Sequence, residues 1–142
     1  MKSFKEYILN KKVKKRSPDP AEARSLILQA TERMKDLINL PLNEGNASFR
    51  FEDAYEALRE ALQSFISLAG YKSYSHEAIV SFAFENKLLS EAQTNRADRY
   101  REIRNDINYR GKRIIIEEAN EIIKFVEDLL PVLKSKLDET LK

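Results

Sequence analysis

The chain has 142 residues, enough for one domain, and no cysteine, which excludes disulfide bonds and cysteine-based zinc sites. One histidine and three scattered glycines exclude histidine metal clusters and a glycine-rich phosphate loop, so no metal or cofactor is expected. The net charge is only +2, but it is unevenly spread. Residues 1–16 contain seven Lys or Arg and one Glu, and residues 96–113 contain seven Lys or Arg and three acids. This asymmetry predicts a polyanionic partner; the alternative is that the charge runs are solvated faces.

The first segment, residues 1–16, is predicted to be a basic N-terminal arm or a short helix that precedes a helical bundle of residues 17–142. Phe4, Tyr7 and Val13 give this segment a partly apolar side, so a helix and a mobile arm are both compatible with it. It contains no apolar run of the kind found in signal peptides, and no run anywhere in the chain is long enough to span a membrane. We therefore expect a cytoplasmic protein without a membrane partner.

The first long helix is predicted over about 20–39. Asp19 is a favourable N-cap, Pro20 suits the first helical position, and Glu22 completes a capping-box pattern. Apolar residues then recur at helical spacing as far as Ile38.

Two further helices are predicted over about 52–69 and 76–86, after a loop at residues 41–48. Gly70 stands where a left-handed residue ends a helix, and Ser75 is a favourable N-cap for the helix that follows. The short connection between them is not predicted to form a strand.

The last two helices are predicted from about 90 to 109 and from 115 or 116 almost to the end of the chain. Gly111 lies just beyond the first of them. Pro131 interrupts the apolar pattern of the second, and it is expected to kink or divide that helix. Short connections between amphipathic helices predict an all-α fold, an antiparallel up-and-down bundle of four to five main helices.

The densest group of polar residues lies on the helix predicted over 90–109. Arg101, Arg104, Asn105 and Asn108 are three or four residues apart and therefore share one face. Guanidinium groups match phosphate geometry, and an asparagine can hydrogen-bond bases or sugars. The alternative is a solvated face stabilised by local pairs such as Asp106 with Arg110.

The segment Arg104-Asn105-Asp106-Ile107-Asn108-Tyr109-Arg110-Gly111 resembles the signature of the HEPN family, the higher-eukaryote and prokaryote nucleotide-binding domains. That signature is an Arg, usually followed by Asn, with a His four to six residues further on. Residues 53–62 and 70–82 resemble the second core helix of the family and the stretch after it, so the resemblance covers roughly residues 20–130.

The resemblance implies a helical bundle that forms a homodimer. Active HEPN proteins are metal-independent endoribonuclease toxins, often partnered with a minimal nucleotidyltransferase. In them the motif Arg holds phosphate and the motif His transfers a proton during attack by the RNA 2′-hydroxyl. Here Asn108, Tyr109 or Arg110 occupies the position of the His, and a tyrosine exchanges protons poorly at neutral pH.

We therefore expect a HEPN-like protein that binds nucleic acid or nucleotide and has a degenerate ribonuclease motif. One alternative is an active ribonuclease toxin, with Arg104 and Tyr109 as catalytic residues or with His76, the only imidazole, in place of the motif His. Another is an interaction module that binds a nucleotidyltransferase and has no nucleic-acid site. The expected nucleic-acid contacts are Arg101, Arg104, Asn105, Asn108 and Arg110.

Overall fold

A computed structural model describes all 142 residues, of which 73% are helical, in six helices and one two-stranded sheet. The prediction of an all-α helical bundle is confirmed. In chain order the elements are α1 (Phe4–Leu9), β1 (Val13–Lys15), α2 (Pro20–Ile38), α3 (Ala47–Ala69), β2 (Tyr71–Ser73), α4 (His76–Glu85), α5 (Glu91–Arg110) and α6 (Ile116–Leu141). No helix is long and apolar enough to cross a membrane.

Helix α3 lies at the centre of the bundle and contacts α2, α6, α4 and α5. Its side facing the core alternates fully buried alanines with large apolar side chains, so neighbouring helices approach closely along its whole length. Every helix contributes to the one continuous hydrophobic core. The largest fully buried apolar side chains are Phe51, Leu58, Leu62, Ile66, Ile122, Leu133 and Leu137.

The helix ends follow the local sequence closely. The side chains of Asp19 and Ser75 each accept a hydrogen bond from the backbone three residues on, and Ser90 forms a full capping box with Gln93. Gly70 and Gly111 end α3 and α5 in the left-handed conformation, with φ of 89° and 65°.

Helix α3 differs from its prediction because it begins five residues earlier, at Ala47. Asn43 and Asn46 exchange side-chain to backbone hydrogen bonds of 3.0 Å, which close a compact turn immediately before the helix. Phe51 in this added stretch is fully buried, so packing stabilises a helical turn that the turn residues alone do not predict.

Pro131 does not divide α6, which is continuous from Ile116 to Leu141. A proline at this position deprives the carbonyl of Glu127 of its helical donor. Both residues are solvent-exposed, so water can hydrogen-bond that carbonyl, and the lost bond is not buried.

The N-terminal segment forms a short helix and a strand that pack against the bundle. Phe4 and Tyr7 of α1 are buried, and Phe4 makes edge-to-face contacts with Tyr71 and Phe82 at 5.2 and 5.0 Å. Val13 is 2% exposed and lies in β1, which pairs with β2 in an antiparallel ribbon. The expectation that the chain has no strands was therefore wrong, because three-residue strands are too short to show a recognisable alternation.

Candidate nucleic-acid interface on helices α3, α4 and α5

The polar face of α5 lies beside α3 and the start of α4. Ala97, Tyr100 and Ile103 bury the narrow apolar side of α5, and Tyr100 packs edge-to-face on Phe51 with ring centroids 5.9 Å apart. Since Arg101 and Arg104 adjoin this stripe, the packing of the apolar side directs them toward Tyr55 on α3 and His76 at the first turn of α4. The structure thus brings together residues that are far apart in the sequence.

His76, the only imidazole, is half-buried and stacks on the ring of Tyr55, with centroids 6.0 Å apart and an angle of 23° between the planes. Burial lowers the pKa of His76 below its ordinary value, and the positive charges of Arg104 and Arg59 lower it further. Burial also raises the pKa of Tyr55 to about 12, against the opposing effect of Arg101 and Arg104. At neutral pH the site therefore presents a neutral imidazole and a protonated phenol beside several guanidinium groups.

Arg104 differs from the other arginines of this face because none of the ion pairs of the chain includes it. The side-chain amide of Asn108 is oriented with its nitrogen toward Glu52. In this orientation Asn108 Nδ2 donates to Glu52 Oε1 at 2.6 Å, and Asn108 Oδ1 accepts from Arg104 Nε at 3.2 Å. This contact orients the half-buried guanidinium and leaves its two terminal nitrogens without a carboxylate partner. Such a group is well suited to hold a phosphate.

Arg101 is placed differently from its prediction, because it does not lie on an open polar face. Its side chain is 12% exposed and its guanidinium lies 2.9 Å from Asp98, 3.6 Å from Glu77 and 3.7 Å from Glu102. These carboxylates already neutralise it. We therefore regard Arg101 as a residue that holds α4 and α5 together and adds positive potential near His76.

Arg59 on α3 belongs to this face and was not predicted from the sequence. Its Nε donates to Glu56 at 3.0 Å, and a further nitrogen donates to Gln63. The pKa of Glu56 is lowered by its hydrogen bond from Arg59, so this carboxylate stays charged. The segment around Arg59 had been noted only for its resemblance to a core helix, and nothing in its spacing indicated that Arg59 would approach a histidine in another helix.

The remaining predicted residues lie toward the end of α5. Asn105 is half-buried. Tyr109 is 81% exposed, and the Arg110 side chain, almost as exposed, forms an ion pair with Asp106 at 3.5 Å. The rings that feel the charge of Arg104 are those of His76 and Tyr55, whereas Tyr109 is exposed to solvent.

The arrangement can bind an anion and place it near a neutral proton acceptor. No group of three or more His, Asp or Glu side chains is arranged to hold a metal ion. No protein-family model, curated protein or solved structure gives a significant match to this chain.

Proposed function

We propose that this protein is a HEPN-like RNA-binding protein whose contact face is formed by α3, α4 and α5. The observation that carries the proposal is Arg104, which is half-buried beside His76, is oriented by Asn108 and forms no ion pair. A guanidinium with two free terminal nitrogens favours a phosphodiester ligand over a neutral one.

The charge distribution supports the same face. Glu77 accepts a hydrogen bond from Tyr7 of α1 at 3.2 Å and lies 3.6 Å from Arg101 of α5. Glu77 thus joins the two basic segments, residues 1–16 and 96–113, although the sequence separates them by 79 residues. Positive charge on both sides of this junction favours a polyanion longer than a single nucleotide.

A second function, metal-independent RNA cleavage, is favoured by one observation. His76 stands in its neutral form near Arg104, so it has a free ring nitrogen with which to accept the proton of an RNA 2′-hydroxyl. Tyr109 is less suited to this role because it is exposed at the far end of α5. The cleavage candidate therefore depends on His76.

The test of the proposed function is binding of fluorescently labelled single-stranded RNA, followed by anisotropy over a series of salt concentrations. We expect binding at low salt, and the logarithm of the affinity should fall linearly with the logarithm of the salt concentration. The steepness of this line, the salt slope, should be about 0.7 for each neutralised phosphate. Analysis of the same RNA for products that end in a 2′,3′-cyclic phosphate separates binding from cleavage. Absence of binding at low salt, or binding insensitive to salt, would contradict the proposal.

Three further expectations remain predictions. The resemblance implies a homodimer and a minimal nucleotidyltransferase as partner, and the composition implies a cytoplasmic location. The RNA-binding proposal depends on none of them, because Arg104, Asn108 and His76 come together within a single chain.

A further inference from the structure

The ribbon of β1 and β2 has one apolar side and one strongly basic side. Antiparallel pairing sets Val13 opposite Ser73, Lys14 opposite Lys72 and Lys15 opposite Tyr71. Because side chains alternate across a strand, Val13 and Tyr71 point to the core, whereas Lys14, Lys72 and Tyr74 share the outer face. All three outer residues are exposed.

The outer face combines two lysines with an aromatic ring. The ammonium groups of Lys14 and Lys72 lie over the Tyr74 ring, 6.0 and 5.5 Å from its centre, and Tyr74 is 57% exposed. Like charges directly opposite one another destabilise a strand pair, and no ion pair of the chain includes either lysine. An external anion between the two lysines would remove this repulsion.

The ribbon is held next to the proposed interface. Tyr74 precedes His76 by two residues, so their Cα atoms are at most about 7 Å apart. The Ser73 hydroxyl accepts from the backbone nitrogen of Ser75 at 3.2 Å and donates to its carbonyl at 2.8 Å, which fixes the turn between β2 and α4. A strand of RNA bound at Arg104 and His76 can therefore extend onto the ribbon.

We propose that Lys14, Lys72 and Tyr74 form a second subsite that binds single-stranded RNA, an inference that rests on the proposed function. When RNA binds, the two ammonium groups move from the Tyr74 ring to the phosphates on either side of one nucleotide, and the base of that nucleotide takes their place on the ring. Base stacking on an exposed aromatic ring is tolerant of sequence and requires a base that is not already stacked in a duplex. The subsite therefore selects single strands over duplexes without reading sequence.

The experiment compares anisotropy titrations of a single-stranded oligouridylate of about 12 nucleotides with those of a duplex RNA of equal length. Tyr74→Ala is expected to weaken binding of the single strand about tenfold and to leave duplex binding unchanged, and Tyr74→Phe is expected to restore it. The double variant Lys14→Gln, Lys72→Gln is expected to weaken binding of both RNAs. It should also reduce the salt slope for the single strand by about 1.4, one increment of about 0.7 for each phosphate contact.

The matched control is Lys35→Gln, which replaces an exposed lysine in the last turn of α2 that forms no ion pair. The start of α2 adjoins the ribbon end of α3, because the backbone nitrogen of Asp19 donates to the carbonyl of Ser67 at 3.1 Å, so Lys35 lies at the opposite end of α2. Lys35→Gln removes the same charge as the single variant Lys72→Gln and is expected to leave the salt slope unchanged, whereas Lys72→Gln should reduce it by about 0.7. Thermal unfolding shows whether each variant is folded. The unfolding temperature of the double variant Lys14→Gln, Lys72→Gln should be no lower than that of the natural chain, because the substitutions remove a like-charge pair.

The outcomes separate the subsite from the proposed interface. Ribbon variants that bind the single strand as tightly as the natural chain, while Arg104→Ala weakens it, would overturn the subsite and leave the interface standing. Weakening by the ribbon variants but not by Arg104→Ala would support the subsite and contradict the proposed role of Arg104. A natural chain that binds no RNA at low salt would contradict both. Equal weakening by Lys35→Gln and Lys72→Gln would show a non-specific charge effect and overturn the subsite.

Discussion

Replacing Arg104 by alanine is expected to weaken the binding of single-stranded RNA by about 10-fold to 100-fold. Hydrogen bonds to a charged group contribute about 1.5–3 kcal/mol each when the partner is desolvated, and a factor of ten in affinity corresponds to about 1.4 kcal/mol. Arg104 forms no ion pair, unlike its neighbours Arg59 and Arg101, so its loss removes a phosphate contact and breaks no ion pair. The measurement is an anisotropy titration at fixed low salt, with the salt slope expected to fall by about 0.7.

Arg110→Ala is the matched control for this prediction. It removes the same charge from the same helix, at a side chain that is exposed and paired only with Asp106 at the end of α5. It is expected to change affinity less than threefold, roughly 0.6 kcal/mol. Equal weakening by the two substitutions would show that the helix contributes only general positive charge. Unfolding of the Arg104→Ala variant would show instead that Arg104 is a structural residue, and the proposed contact would be wrong.

Phe4→Ala is expected to lower the free energy of unfolding by about 3–5 kcal/mol, the range found for a large aromatic side chain removed from a core. Only 7% of Phe4 is exposed, and its ring lies between Tyr71 of the ribbon and Phe82 of α4. Its removal therefore leaves a cavity where three elements meet. Chemical denaturation monitored by circular dichroism measures this change.

Leu9→Ala is the control in the same helix, since Leu9 is an apolar residue of α1 that is 70% exposed. We expect it to change stability by no more than about 0.5 kcal/mol. If Phe4→Ala and Leu9→Ala both have small effects, the N-terminal segment contributes little to the fold and its packing against the ribbon is incorrect.

The helices could be predicted from the sequence because their ends are encoded locally. Asp19, Ser75 and Ser90 cap helices where their side chains predict, and the two glycines that end α3 and α5 adopt the left-handed backbone expected of them. These features depend on residues three or four apart, which the sequence shows directly.

The N-terminal segment could not be assigned because its structure depends on distant partners. Val13 forms a strand only where residues 71–73 lie beside it, and Phe4 is buried by Tyr71 and Phe82. Short strands are stabilised by pairing and by side-chain burial more than by intrinsic preference, so a three-residue segment provides no usable pattern.

The candidate site was predictable along α5 and not across the helices. The spacing of Arg101, Arg104 and Asn108 predicts that they share one side of a helix, but it does not show that Arg101 forms ion pairs with Glu77 and Asp98. Similarly, the stacking of His76 on Tyr55 joins the start of α4 to the third turn of α3 and depends on how the two helices pack. Which arginine remains free for a ligand is therefore a property of the tertiary structure.

The central claim, that RNA binds where Arg104 faces His76, is tested most directly by the NMR titration of the His76 imidazole. His76 is the only histidine, so its ring C2 proton gives one unambiguous signal. In the free protein, burial and the charges of Arg104 and Arg59 keep the pKa of His76 below its ordinary value. A phosphate bound at Arg104 adds negative charge beside the ring and favours the imidazolium.

Saturating single-stranded RNA is expected to raise the pKa of His76. The affinity for RNA should then increase as the pH falls through that pKa, because binding takes up a proton. Arg104→Ala in the free protein should also raise the pKa of His76, because it removes a nearby positive charge, whereas Arg110→Ala should not change it. The contradicting result is an RNA complex, saturated by anisotropy, in which the pKa and chemical shift of His76 are the same as in the free protein.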